Sequence, residues 1–385
     1  MRFQSVIRFA VLLLLTASFG QASEPVPAAH KFVRASGDQL VVGEAGESVW
    51  LRGVALKPGN SAQENEKRFR ELAELGVNTI RLPFSYRHFY DPETPDIIKA
   101  GAWDTIDEYL ALARQHGMWV ILQNLSIEGW QPVPVIGVPF DYSIWSDAGL
   151  QERYVGLWRK IAERYRHEPR IAGYSLFFEP ITAAGSEQWG KLAQRTVDAI
   201  REVDTNHALF IERIYGINAE RREISGIDLA PDDAFITVED DNLVYEFYYF
   251  ERDEYTHQFA SWRADTQLER VYPDPDWIID YQESSGFEIS LPFDRNYLEF
   301  YLARQLEFGE SHNVPMSIWG FGAMHTCFIE DRGGLRWLTD SLDLISQSKV
   351  HWTLWGYYDE RFFAGKHDDV RPLLRAALTA GHTKN

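Results

Sequence analysis

The chain has 385 residues, 45% of them apolar and 25% charged, the composition of a globular protein with a sizeable core and not of a disordered chain. Its formal net charge of −19 repels phosphate backbones and anionic lipid, which disfavours a nucleic-acid or membrane-surface binder and leaves neutral or cationic partners. Its 13 Trp, 18 Tyr and 23 Phe mostly fill a core, and any left on a surface suit the flat faces of sugar rings.

Residues 1–23 read as an export signal. Arg2 and Arg8 precede the apolar stretch Phe9 to Thr16, and the small residues Ala17, Ser18, Gly20 and Ala22 follow. The stretch is too short to anchor in a bilayer, so cleavage near Ala22 or Ser23 predicts a secreted or periplasmic protein with no membrane span. Cys327 is the single cysteine, so no intrachain disulfide forms in that oxidising destination.

From about residue 30 to residue 385 the pattern predicts one domain. Lys31 to Val42 and Ser48 to Leu56 alternate like strands around Gly43 to Gly46, an entry β-hairpin. Eight strands follow in the reading: Val49–Leu56, Asn78–Phe84, Trp119–Leu125, Ile171–Glu179, Ala208–Ile214, Asn242–Phe250, Val314–Phe321 and His351–Tyr358. Helical spacing marks Glu64–Leu75, Thr105–His116, Leu150–Tyr165, Glu187–Val203, Asn296–Ser311 and Leu335–Ser346, with Gly76, Gly117 and Gly309 as caps. This alternation is that of an α/β protein, a (β/α)8 TIM barrel with an N-terminal β-hairpin. The section Glu251 to Arg295 reads as a long irregular loop at the C-terminal face of the barrel, a candidate cleft wall.

The charged residues that close strands project into such a cleft. Arg81 lies in Asn78-Thr-Ile-Arg-Leu-Pro-Phe84, and Glu179, a candidate acid/base, in Tyr174-Ser-Leu-Phe-Phe-Glu-Pro180. Together with Leu51-Arg-Gly-Val54, Val244-Tyr-Glu-Phe-Tyr-Tyr-Phe250, Tyr255-Thr-His-Gln258, Val314-Pro315, Phe321-Gly-Ala323 and Trp352 to Tyr358, these motifs make the chain resemble glycoside hydrolase family 5, the cellulase type. The resemblance runs in order through nearly the whole chain after residue 30.

It implies a retaining glycosidase, in which one carboxyl protonates the leaving oxygen and a second attacks the anomeric carbon from about 5–5.5 Å away. Glu179-Pro180 matches the family's Asn-Glu-Pro, with Phe178 in place of the Asn that bonds the sugar 2-hydroxyl. Trp319-Gly320-Phe321-Gly322 matches Gly-Glu-Phe-Gly, so Gly320 stands at the vacated nucleophile position. Leu125, Tyr248 and Phe250 fall where the resemblance implies His, His and Tyr, while Arg81 and Trp355 are kept. The substrate-binding set implied is Arg81, Phe178, Tyr248, Trp319 and Trp355.

Loss of a covalent nucleophile lowers turnover by on the order of a millionfold. The expectation is therefore an exported barrel of this family that recognises β-linked oligosaccharide or polysaccharide with hydrolysis lost or strongly altered, using Trp130, Trp262, Trp319 and Trp355 as stacking platforms. The alternative is an active hydrolase in which Glu179 works with a relocated carboxylate, for which Glu128, Glu246, Asp359 and Glu360 are candidates. No cofactor is called for. No metal-ligand spacing, phosphate loop or serine elbow appears. Glu239-Asp-Asp241 reads as a solvated cluster, and His325 with Cys327 as an improbable dyad.

Overall fold

The computed structural model describes residues 32–43, 45–131, 141–217, 229–261, 266–329, 331–359, 361, 362 and 372. Residues 1–23, read from the sequence as an export signal, lie outside the described residues, as do Trp262 and Glu360. Eight parallel strands close into a barrel: β1 (Arg52–Ala55), β2 (Thr79–Ser85), β3 (Trp119–Ser126), β4 (Ile171–Ser175), β5 (Ala208–Glu212), β6 (Leu243–Tyr249), β7 (Met316–Phe321) and β8 (His351–Leu354). Each bonds to its neighbours in sequence, and β8 returns to β1 through Trp352 opposite Arg52.

Six longer helices surround the barrel: α1 (Ala62–Leu75), α2 (Asp104–His116), α3 (Ala148–Tyr165), α4 (Ser186–Arg201), α5 (Arg295–His312) and α6 (Gly334–Ser348). Their ends follow local chemistry. Ser61 accepts the Glu64 N–H at the start of α1, and Gly76 closes it with φ 90°. Gly117 ends α2 in the same left-handed region. Gly309 does not cap a helix. It lies inside α5, where a Cβ would come 2.3 Å from Met316 Cγ, and Asn313 supplies the left-handed cap instead. On α4 the buried Trp189, Leu192, Ala193, Thr196, Val197 and Ile200 recur at three and four, the stripe that faces the barrel.

The entry hairpin is a three-stranded antiparallel sheet, Arg34–Ser36, Gln39–Val42 and Glu47–Val49, and the chain enters β1 only after it. Val33, Leu40, Val49 and Leu51 pack there with Ile121, Ala172, Ala208, Phe210 and Val244, closing the N-terminal mouth of the barrel with apolar side chains. A Cβ at Gly173 would come 2.3 Å from Ala208 O and 2.5 Å from Phe210, so the large ring in that layer depends on a glycine beside it. The other mouth, at the C-terminal ends of the strands, is left for a site.

Residues 251–295 are not the irregular wall that the prolines suggest. They hold a short helix, Asp253–Thr256, and an antiparallel hairpin, Asp274–Gln282 with Glu288–Phe293. Tyr281 of the hairpin meets Phe300 of α5 at 5.1 Å, and Arg270 lies 4.1 Å over the Trp277 ring. The hairpin covers the outside of the barrel at α5.

Candidate active site

The ends of β2, β4, β6, β7 and β8 bring together Arg81, Phe178, Glu179, Tyr248, Trp319, Gly320 and Trp355. Arg81 is fully buried, and its guanidinium bonds Glu246 with both terminal nitrogens and Thr353 Oγ1 at 3.2 Å through Nε. Ser175 and Ser317 donate to the same carboxylate at 2.6 and 3.3 Å. The Arg81–Glu246 pair is thus an interior layer of the barrel. Arg81 has no free face for substrate, a correction to its expected role, and Glu246 is its counter-ion and not a relocated base.

Above this layer the mouth is aromatic. Trp319 is 2% exposed and ringed by Phe178 at 4.9 Å, Trp355 at 5.8 Å, Phe250 at 6.2 Å and Tyr248 at 6.5 Å. A side chain so covered is no stacking platform, and the same holds for Trp130, which packs on Tyr142, Trp145 and Phe177 and donates its indole N–H to Phe178 O. At Gly320 an added Cβ would meet the Phe250 ring at 3.4 Å and Trp355 Cβ at 3.8 Å. Tyr248 is half-buried, stacks on Tyr215 at 4.2 Å and donates its N–H to the Tyr215 hydroxyl oxygen at 2.7 Å.

Glu179 lies just beyond β4, half-buried, with a left-handed φ of 45°. Its N–H donates to Glu212 Oε2 at 3.0 Å. Glu212 ends β5, is fully buried, and leaves Oε1 without a hydrogen bond among the described residues. Burial, then the negative charges of Glu179 and Glu246, push its carboxyl well above the usual range, with Arg81 opposing. Sequence reasoning passed over Glu212, although Ala208, Phe210 and Glu212 alternate onto the barrel interior.

The other proposed bases are bound to cations. Glu128 pairs with Arg153 at 2.7 Å. Asp359 pairs with Lys57 at 2.9 Å and Arg361 at 2.8 Å, and although burial opposes ionisation these cations hold its carboxyl well below the usual range. His325 and Cys327 do not pair: His325 Nδ1 lies 3.1 Å from Arg361 O, and the buried thiol, pushed up to about 12 by burial, donates to Tyr255 O. Arg201 binds both Asp240 oxygens, so Glu239-Asp-Asp241 is not purely a solvated cluster.

The open part of the mouth is a cavity of about 250 Å³ between the ends of β1 and β8. Trp355, 9% exposed, forms one side, Lys57, Asn60 and Arg68 the other, and Tyr358 and Asp359 the rim. Lys57 Nζ lies 5.0 Å over the Trp355 ring, and Arg68 lies 4.5 Å over Tyr358. The cavity is lined by two aromatic rings, each with a cation over it, and by the Asn60 amide.

A closed parallel barrel with its charged side chains at the strand C-termini defines the class of TIM-barrel proteins. Within it, residues 42–361 match the family Cellulase (glycosyl hydrolase family 5), and the chain belongs to that family. Endoglucanase C of Acetivibrio thermocellus is 25% identical over 320 residues, 80% of this chain and 88% of the relative. A beta-xylosidase of Phanerodontia chrysosporium is 32% identical over 140 residues, which cover 36% of this chain and 29% of the relative. Among solved structures, the endoglucanase Cel5A of Thermotoga maritima superposes with TM-score 0.62 at 20% identity, covering 85% of this chain and 97% of the other. The same enzyme with mannotriose gives 0.62 at 19%, covering 86% and 97%.

Proposed function

We propose that this protein is an exported member of the family that holds β-linked glycans at the C-terminal face of the barrel and does not cut them by the two-carboxylate retaining route. The observation that carries the reading is Gly320, which puts no carboxylate at the end of β7 and faces Phe250 and Trp355. Retention needs an attacking carboxylate about 5–5.5 Å from the acid, and the three described carboxylates considered from the sequence are each bonded to a cation. Glu246 is bonded to Arg81, Glu128 to Arg153, and Asp359 to Lys57 and Arg361.

Binding has a physical basis in the cavity beside Trp355. Trp355 lines it beneath Lys57, and Lys57, Asn60 and Arg68 supply donors to hydroxyl oxygens. The acidic whole favours a neutral glycan over a polyanion. Arg2, Arg8 and the apolar stretch behind them support export. Calorimetric titration of the protein with cello- and manno-oligosaccharides, run beside a product assay on the same sugars, tests the reading. Binding without product is expected, and a Trp355→Ala variant is expected to weaken binding at least tenfold.

A further inference from the structure

We propose that Glu212 is a positioning residue for Glu179: the buried Glu212 carboxyl at the end of β5 holds the Glu179 backbone just beyond β4, and the two carboxyls form one coupled pair. The geometry starts from the Glu179 backbone. Its φ of 45° is a region that costs a non-glycine residue about 1 kcal/mol or more, so something must hold it. The Glu212 carboxyl does so by accepting the Glu179 N–H at 3.0 Å. Around this bond the loops after β4 and β5 are stitched together: Tyr215 N–H donates to Pro180 O at 2.9 Å, and Gly216–Ile217 pairs in parallel with Ile181–Thr182.

The surroundings then decide which form of Glu212 persists. It is fully buried, one oxygen has no partner among the described residues, and a buried ionised carboxylate so placed is expensive. The charges acting on it are Glu179 at the end of β4, Glu246 on β6 and Arg81 on β2, and Arg81 is already bonded to Glu246. The Tyr215 hydroxyl on the following loop is itself pushed well up, by burial first and then by Glu212. The Glu179 charge adds to the cost that burial imposes, so the two carboxyls are coupled and the buried Glu212 keeps its proton. Protonated, Glu212 is neutral in its buried place and still accepts the Glu179 N–H.

This pair is a property of the unliganded protein; only its use on a glycan rests on the function proposed above. The test is a pH titration of 13C-labelled glutamate carboxyls by NMR in the full chain, Glu212→Gln and Glu179→Gln. One carboxyl is expected to titrate well above the ordinary range, to vanish in Glu212→Gln, and to move down by about one pH unit or more in Glu179→Gln. A Glu212 that titrates normally, or a raised midpoint that Glu179→Gln leaves in place, overturns the pair and marks Glu212 as merely buried. If the coupling is present but no oligosaccharide binds at any pH, the pair stands and the glycan reading falls.

Discussion

Arg81 has no exposed surface, and its charge is met from β6 by Glu246, supported by Ser175 and Ser317. Removing that carboxylate strands the cation in the barrel. Glu246→Ala is expected to cost about 3–5 kcal/mol in urea unfolding, while an apolar double replacement, Arg81→Met with Glu246→Leu, recovers most of it. An unchanged midpoint for the single variant means that the pair is not a structural element. Glu179 and Gly320 were placed near strand ends from the sequence, whereas the pairing of Arg81 with Glu246 crosses the barrel and shows only in the fold. Glu212 was equally marked by alternation, but its bond to the Glu179 N–H is a cross-strand fact that no local pattern carries.

The elements were read well where local chemistry sets them. Helix stripes and the caps at Gly76 and Gly117 are in the sequence, and all six long helices fall within two residues of their expected starts. Strand ends were read less well. β4 stops at Ser175 because the chain turns toward the left-handed Glu179, and the expected first strand divides because Glu47–Val49 belongs to the entry sheet. In the hairpin after β6, Trp277, Ile279 and Tyr281 alternate with exposed Ile278, Asp280 and Gln282, but Pro273 and Pro275 hide that period of two. The hairpin hands over to α5 at Asp294, whose Oδ1 accepts the N–H groups of Asn296 and Tyr297 at 2.8 and 3.3 Å. Asp294→Ala is predicted to cost about 1 kcal/mol by thermal melting, and Asp294→Asn much less; equal losses would contradict the cap.

At the scale of the whole molecule, stability depends on pH through a residue at the closed end of the barrel. His351 is buried at the start of β8, accepts the Leu51 N–H on Nδ1, and has its pKa lowered from 6.5 to about 4 by burial. The folded state favours the neutral ring, so its contribution is complete above the unfolded value near 6.5 and is lost as pH falls through about 4. At about 1.4 kcal/mol per pH unit, that gap of about 2.5 units is worth about 3 kcal/mol. Urea unfolding at pH 7 and pH 4.5 is expected to show the loss in the wild type and a reduced one in His351→Gln; equal slopes would remove His351 from the account.

The same barrel that closes one mouth with apolar residues opens the other beside Trp355, with Gly320 in β7 and Glu179 just beyond β4. The most direct measurement is product formation from β-glucan and β-mannan oligosaccharides by the purified protein, with Glu179→Gln in parallel and product anomers followed by NMR. The account predicts binding with no product from either protein; cleavage abolished by Glu179→Gln, with retention at the anomeric carbon, would contradict it.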